Sequence, residues 1–294
     1  MHIDLGIALA GLIVGVVVGL TGMGGGALMT PVLVIVFGIT PLSAVSSDLV
    51  AAVVMKPIGG GIHFRRRTVH TGLVTWLALG SVPGALAGSY VVGHMDGDVS
   101  DRLSTVLGVV LLVAAVAMVV RSYLVRHRGA PAGGAAPTRV RVRRLPTLLV
   151  GIAGGAVVGM TSVGSGSLMI VALMVLYPKL STKELVGTDL VQAVPLVLAA
   201  ALGHLLWGDF ELGLTSSLLL GSIPGVIVGA QLSARAPDAV IRPILAVVLT
   251  LSGMKLLDAS NELLGLTAAL AVAGAAAVLV VKYRIRVRET ARAS

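Results

Sequence analysis

Long apolar runs constrain this chain more than any other feature of its sequence. They are Leu5–Val18, Leu73–Val92, Leu103–Val120, Leu212–Leu232, Ala239–Leu257 and Leu263–Val281. Several approach the roughly 20 residues that an α-helix needs to cross a hydrocarbon core about 30 Å thick. Charged residues make up only 12% of the chain, about half of the share in a typical soluble protein. The sequence therefore predicts an all-α membrane protein that crosses the bilayer several times.

The sequence also contains two diverged copies of one unit. Val18–Met29 and Val158–Met169 are identical at seven of 12 positions, at an offset of 140 residues. Two further blocks recur in the same order at an offset of 141 residues. These are Ser47–Val50 with Thr188–Val191, and Gly80–Gly88 with Gly221–Gly229. Because three blocks keep their order and spacing, the pattern indicates an internal duplication.

A basic segment rich in alanine, glycine and proline separates the copies. The predicted organisation is a first membrane repeat at 1–120, a basic cytoplasmic linker at 121–146, a second repeat at 147–257, and a final span with a basic tail at 258–294. Each repeat begins with an apolar segment, a glycine-rich break and a shorter apolar segment. The longer segments are Leu5–Thr21 and Thr147–Thr161, and the shorter ones are Ala27–Phe37 and Leu168–Tyr177. The shorter segment is only about 15 Å long at about 1.5 Å per residue, which predicts a helical hairpin that enters the membrane and returns. Two full spans in place of each hairpin are the alternative.

The positive charges predict the topology of the spans. Of the 22 lysines and arginines, 19 fall on one side when the linker is placed in the cytoplasm, as the positive-inside rule requires. Three full spans follow the hairpin in each copy. Because this is an odd number of net crossings, the second copy is inverted relative to the first. The expected protein is a multi-pass protein of the cell membrane with two inverted-topology repeats and one extra C-terminal span. Its N-terminus lies outside and its C-terminus in the cytoplasm.

The two glycine-rich breaks, Gly22–Gly26 and Ser162–Ser167, are the first candidates for a binding site. Broken backbone inside a membrane requires protein or water around it, and the N-terminus of the helix that follows attracts anions. Close helix packing is the alternative role for such glycines, and it is favoured for isolated ones such as Gly11 and Gly15. The predicted substrate-binding residues at the breaks are Thr21, Gly24, Gly25, Gly26, Thr161, Gly164, Ser165 and Ser167.

Polar residues inside the apolar segments are the second candidates, because burying them in a membrane is costly. Asp48 and Asp189 occupy equivalent positions in the two copies; they could take part in coupling or gating, or cap broken backbone. Lys56 is a cation within a span and suits an anionic substrate, although it could instead snorkel or pair with a carboxylate. Gln192 lies on the copy-two counterpart of the Lys56 helix and joins the predicted substrate-binding set.

Two histidines, His63 and His204, also share a repeat position. Histidine titrates near neutral pH, so a role in proton coupling or gating is one interpretation, and a structural histidine near the interface is the other. We expect no metal site here, since inverted copies would place these side chains at opposite faces of the membrane.

Other classes of function find little support in the sequence. The chain has no cysteine, and it contains neither a His-Glu-x-x-His nor a Gly-x-Ser-x-Gly motif, so we expect neither an enzyme nor a cofactor. The net charge of +9 is concentrated between spans, which argues against nucleic acid as a partner. The expected partners are a small anionic substrate and the lipid bilayer, and a homo-oligomer is left open.

Several of these motifs together resemble the sulfite exporter TauE/SafE family, also called the 4-toluene sulfonate uptake permeases. They are the Gly22–Gly26 break followed by Ala27–Pro31, the Ser47-Asp48 pair and the Gly-Ser-x-Pro-Gly segments. The resemblance extends from about Leu5 to about Leu257 and implies a transporter of small sulfur-containing or organic anions, such as sulfite or sulfonates. Gly164–Gly166 departs from the Gly-Gly-Gly pattern, which argues against a symmetric site.

The sequence therefore predicts a secondary transporter whose anionic substrate binds between the two glycine-rich breaks. The alternatives are an anion channel and an accessory membrane subunit without coupled transport of its own.

Overall fold

The computed structural model describes residues 3–21, 25–65, 69–95, 97–127, 140–232 and 238–271, and only the backbone at 59–60, 62–65, 126–127 and 238–240. The described chain is helical and contains no β-strand. Its helices are α1 (Leu5–Thr21), α2 (Gly26–Ile35), α3 (Pro41–Arg65), α4 (Thr71–Gly93), α5 (Val99–His127), α6 (Arg144–Thr161), α7 (Leu168–Leu176), α8 (Thr182–Trp207), α9 (Leu212–Leu232) and α10 (Asp238–Leu256). Residues 261–271 are also helical.

Six of these helices are long and apolar enough to cross a membrane, namely α3, α4, α5, α6, α8 and α9. Large apolar side chains cover outward-facing surfaces, as at Leu5 (78% exposed) and Leu206 (70% exposed). Water would disfavour such a surface, whereas lipid tails would not. The prediction of an all-helical chain with several candidate spans is therefore confirmed.

Both helix–break–helix segments double back on themselves. In copy two, the Tyr177 hydroxyl just after α7 accepts a hydrogen bond from the Arg143 amide (2.9 Å) and shares one with the Thr147 hydroxyl (2.5 Å). The end of α7 therefore lies beside the start of α6. In copy one, the ring of Phe37 lies 3.2 Å from the position that a methyl group on Gly6 would occupy. The end of α2 therefore lies beside the start of α1.

Glycines allow two helix pairs to pack closely, α1 against α9 and α4 against α6. A methyl group on Gly221 would lie only 1.7 Å from the carbonyl oxygen of Ala8, and one on Gly15 would lie 2.7 Å from that of Ser222. At the second crossing, a methyl group on Gly159 would lie 2.2 Å from the carbonyl oxygen of Ala85. Only the absence of Cβ permits this approach, so the packing interpretation of the isolated glycines holds for Gly15.

The helix contacts repeat when the two copies are exchanged. In this exchange α1 to α5 correspond to α6 to α10. The α1–α9 contact then corresponds to α6–α4, and α2–α10 corresponds to α7–α5. The α3–α8 and α5–α10 contacts each correspond to themselves. Equivalent segments of the duplicated sequence thus pack in equivalent ways.

The predicted linker at 121–146 is helical at both ends. Helix α5 continues to His127, and α6 begins at Arg144. The predicted last span, Leu263–Val281, is helical as far as residue 271, and its remainder lies outside the described residues.

Candidate functional site

The two glycine-rich breaks touch each other inside the bundle. A methyl group on Gly26 would lie 2.1 Å from the carbonyl oxygen of Ser162. Ser162 ends α6 in the left-handed conformation (φ 59°), and its amide donates to the Val158 carbonyl (2.7 Å). The Ser162 hydroxyl donates to a carboxylate oxygen of Asp48 on α3 (2.5 Å). Asp48 therefore anchors the break of the opposite copy.

The second break owes its shape to glycine. Gly164 (φ 124°) and Gly166 (φ 94°) adopt backbone conformations that other residues rarely reach. The Gly164 carbonyl accepts hydrogen bonds from the amides of Leu168 (3.1 Å) and Met169 (3.2 Å) at the start of α7. The hydroxyl of Ser167 is buried, and no hydrogen-bond partner for it exists among the described residues. A polar group that is buried without a partner at a helix N-terminus is suited to bind a ligand.

Lys56 reaches the second break from α3. Its side chain is 7% exposed, and its ammonium group donates a hydrogen bond to the Ser165 hydroxyl. It also interacts electrostatically with the carboxylates of Asp48 and Asp189. Both repeat-related aspartates thus interact with one buried cation, and this favours pairing over the snorkelling alternative.

Asp189 and Gln192 belong to a polar chain on α8. The Gln192 amide donates to Asp189 (3.2 Å), and its oxygen accepts from the Ser81 hydroxyl on α4 (3.1 Å). Asp189 also interacts with the backbone amide of Gly166. These side chains are buried, so the site is closed to solvent in this conformation.

Arg121 is a member of this group that the sequence interpretation missed. It lies on α5, is 3% exposed, and donates from Nη1 to the Gly166 carbonyl (3.1 Å). It also interacts electrostatically with Asp189. The sequence assigned it to the linker because further basic residues follow it. Its spacing was the available signal, since Arg121 continues the buried stripe of Leu107, Leu111, Ala114 and Met118 at steps of three and four residues.

The other residues that the sequence predicted for the site have different surroundings. The Thr21 hydroxyl donates to the Val17 carbonyl (2.8 Å), and that of Thr161 donates to the Val157 carbonyl (2.7 Å), so both bond within their own helices. A methyl group on Gly25 would meet Asp48 at 3.5 Å, so Gly25 also borders the site. Gly24 and the side chain of His63 lie outside the described part of the structure.

His204 lies apart from the charged group. Its Nδ1 is 2.8 Å from the Ser46 hydroxyl, and its Nε2 is 2.7 Å from the Gly159 carbonyl. Because a carbonyl oxygen only accepts, Nε2 is the nitrogen that carries hydrogen. These two bonds join α8 to α3 and α6. They agree with a structural role for His204, which was the alternative to a role in proton coupling or gating.

Comparison with known proteins identifies the chain as a transporter. The family model of the sulfite exporters TauE/SafE matches residues 7–256. The chain belongs to this family. It is 38% identical over 262 residues to the probable membrane transporter protein YjnA of Bacillus subtilis, covering 86% of this chain and all of that protein. It is 24% identical over 249 residues to the probable membrane transporter protein YdhB of the same organism, covering 83% of this chain and 96% of that protein. No solved structure matches the chain.

Membership of this family confirms the resemblance seen in the sequence. The chain is a TauE/SafE family membrane transporter with several candidate spans. A transporter family also agrees with the expectation that the chain is not an enzyme.

Proposed function

We propose that this chain is a secondary carrier of a small oxyanion, such as sulfite, a sulfonate or a related organic anion. The observation that supports this most is the buried Lys56 ammonium on Ser165, together with the Ser167 hydroxyl at the start of α7, which has no hydrogen-bond partner among the described residues. A buried cation, hydroxyl donors and a helix N-terminus together form an environment that stabilises an anion. The family to which the chain belongs supplies the class of substrate.

In this proposal the two copies have inverted topology and enclose the site near the middle of the membrane. The repeated helix contacts support such a relation, as do the two segments that double back. Broken helices with sites at the repeat interface are typical of secondary transporters. The charge distribution favours an outside N-terminus and a cytoplasmic C-terminus.

The carboxylates compensate the buried positive charge at the site. Asp48 and Asp189 compensate the charge of Lys56, which would be costly to bury alone. An arriving anion would take over part of this role. Movement of the helices that bear these carboxylates would then open the site toward one side.

Flux measurements in proteoliposomes test the proposal with a matched pair of lysines. Lys56→Gln removes the buried charge while keeping a hydrogen-bond donor, and we expect KM for sulfite to rise by about tenfold or more, since charge-assisted hydrogen bonds contribute about 1.5–3 kcal/mol. Lys255→Gln, at an exposed lysine on α10, should leave KM unchanged. Equal KM values for the wild type and Lys56→Gln would refute the assignment of Lys56.

The same vesicles separate a carrier from the alternatives. Flux that follows an imposed pH or Na⁺ gradient supports a coupled carrier. Flux that is insensitive to both gradients indicates a channel. Absence of flux from the folded, purified protein indicates an accessory subunit.

A further inference from the structure

Arg121 is a second cation buried against the proposed anion site. It lies in α5 on the same stripe as the buried Met118 and Ala114, and only 3% of it is exposed. Burying a guanidinium among apolar helices costs several kcal/mol unless charges and hydrogen bonds compensate it. An arginine inside a span therefore points to a function.

Its contacts place it at the same break as Lys56. Lys56 donates to the side chain of Ser165, and Arg121 donates to the backbone carbonyl of the next residue, Gly166 (3.1 Å). Asp189 interacts with both cations and with the Gly166 amide. Two cations from different helices thus converge on consecutive residues of one break.

We propose that Arg121 and Lys56 form a two-point clamp for an oxyanion, which deepens the proposed function and depends on it. The guanidinium donates to the Gly166 carbonyl. In the clamp an anion replaces that carbonyl as its acceptor, while the Lys56 ammonium attracts the same anion from its position on Ser165.

The chemistry of the guanidinium narrows the substrate class. Its planar fork matches two oxygens on one central atom, whereas an ammonium group acts as a point charge. The clamp therefore selects sulfite, sulfonate or carboxylate groups over a spherical halide. A purely structural Arg121 would only hold the break through its bond to Gly166, so replacing it would change stability and leave KM for sulfite and the preference over chloride unchanged.

Three variants distinguish these roles when sulfite flux and competition by chloride are measured in proteoliposomes. Arg121→Lys keeps the charge and a donor for Gly166 but loses the fork. We expect its KM for sulfite to rise about tenfold with kcat changed less than about threefold, and its preference for sulfite over chloride to fall. Arg121→Gln should lose saturable uptake. The control is Arg102→Gln, an exposed arginine on the same helix, which should behave as wild type.

The results of these experiments test the Arg121–Lys56 clamp separately from the proposed transport of oxyanions. Wild-type KM and preference in Arg121→Lys would overturn the clamp, as would failure of that variant to fold in a thermal unfolding assay, since either result indicates a structural arginine. If the wild-type protein transports none of the oxyanions, the proposed function itself fails. Wild-type transport with an unaffected Arg121→Lys rejects only the clamp.

Discussion

The contact between Gly26 and Ser162 makes a sharp prediction about two adjacent glycines. A methyl group on Gly26 would lie 2.1 Å from the Ser162 carbonyl oxygen and 2.6 Å from its carbonyl carbon. These are backbone atoms, so no rotation of a side chain relieves the clash. Gly26→Ala must therefore push the two breaks apart, at an overpacking cost of about 1–3 kcal/mol.

Gly25 is the matched control for this substitution. A methyl group there would lie 3.4 Å from the flexible end of Met55, 3.5 Å from Asp48 and 4.0 Å from Val18, which is ordinary contact. Its backbone is in the right-handed helical region (φ −57°, ψ −36°), where alanine is favoured over glycine by about 0.4–1 kcal/mol. Gly25→Ala should therefore leave stability unchanged or slightly raise it.

Measurements of stability and of transport test the contact between the breaks. Thermal unfolding in detergent should give a lower Tm for Gly26→Ala than for Gly25→Ala. Sulfite flux should fall at least about tenfold in Gly26→Ala, because separating the breaks moves Ser162 away from Asp48 and every 1.4 kcal/mol of lost binding is a factor of ten. Equal Tm values for the two variants would refute the contact between the breaks.

Two further predictions concern the scaffold. Gly221→Ala should lower the Tm, because its methyl group would lie 1.7 Å from the Ala8 carbonyl oxygen. Gly265→Ala should leave the Tm unchanged, because nothing lies within 4 Å of its methyl group. An equal Tm for both variants would argue against the α1–α9 crossing. Tyr177→Phe should destabilise the protein by roughly 1–2 kcal/mol, because the Tyr177 hydroxyl forms hydrogen bonds with both Arg143 and Thr147. An unchanged free energy of unfolding in denaturant would contradict the closure of the second hairpin.

Local patterns were sufficient to predict most helices. The sequence predicted Leu5–Thr21 for α1, which is the range that the structure describes for this helix. It predicted Leu168–Tyr177 for α7, which ends one residue earlier, at Leu176. Glycines at the ends of apolar runs determine such boundaries. Because the unit is duplicated, the boundaries predicted in one copy could be compared with those in the other.

The charged site could be predicted only in part. Asp48, Lys56 and Asp189 stood out because each interrupts an apolar segment. Their partners did not, since Ser162 lies 114 residues from Asp48 and Ser165 lies 109 residues from Lys56. Arg121 was missed because charge at the end of an apolar run is ordinarily a sign that the span has ended. Only its register with the buried stripe of α5 distinguishes it from the arginines that follow.

The charges around the second break have a consequence for transport. Lys56 and Arg121 contribute two positive charges, and Asp48 and Asp189 contribute up to two negative ones, so the net charge of these four groups is zero when all are ionised. A balanced set is the arrangement that a membrane interior tolerates best. A monovalent anion entering it leaves one negative charge uncompensated. A carrier with this site must therefore either move that charge across the membrane or take up a cation with its substrate. Asp48 and Asp189 are the groups beside the break that could hold such a cation, which is why the response of flux to pH and Na⁺ gradients bears directly on their role.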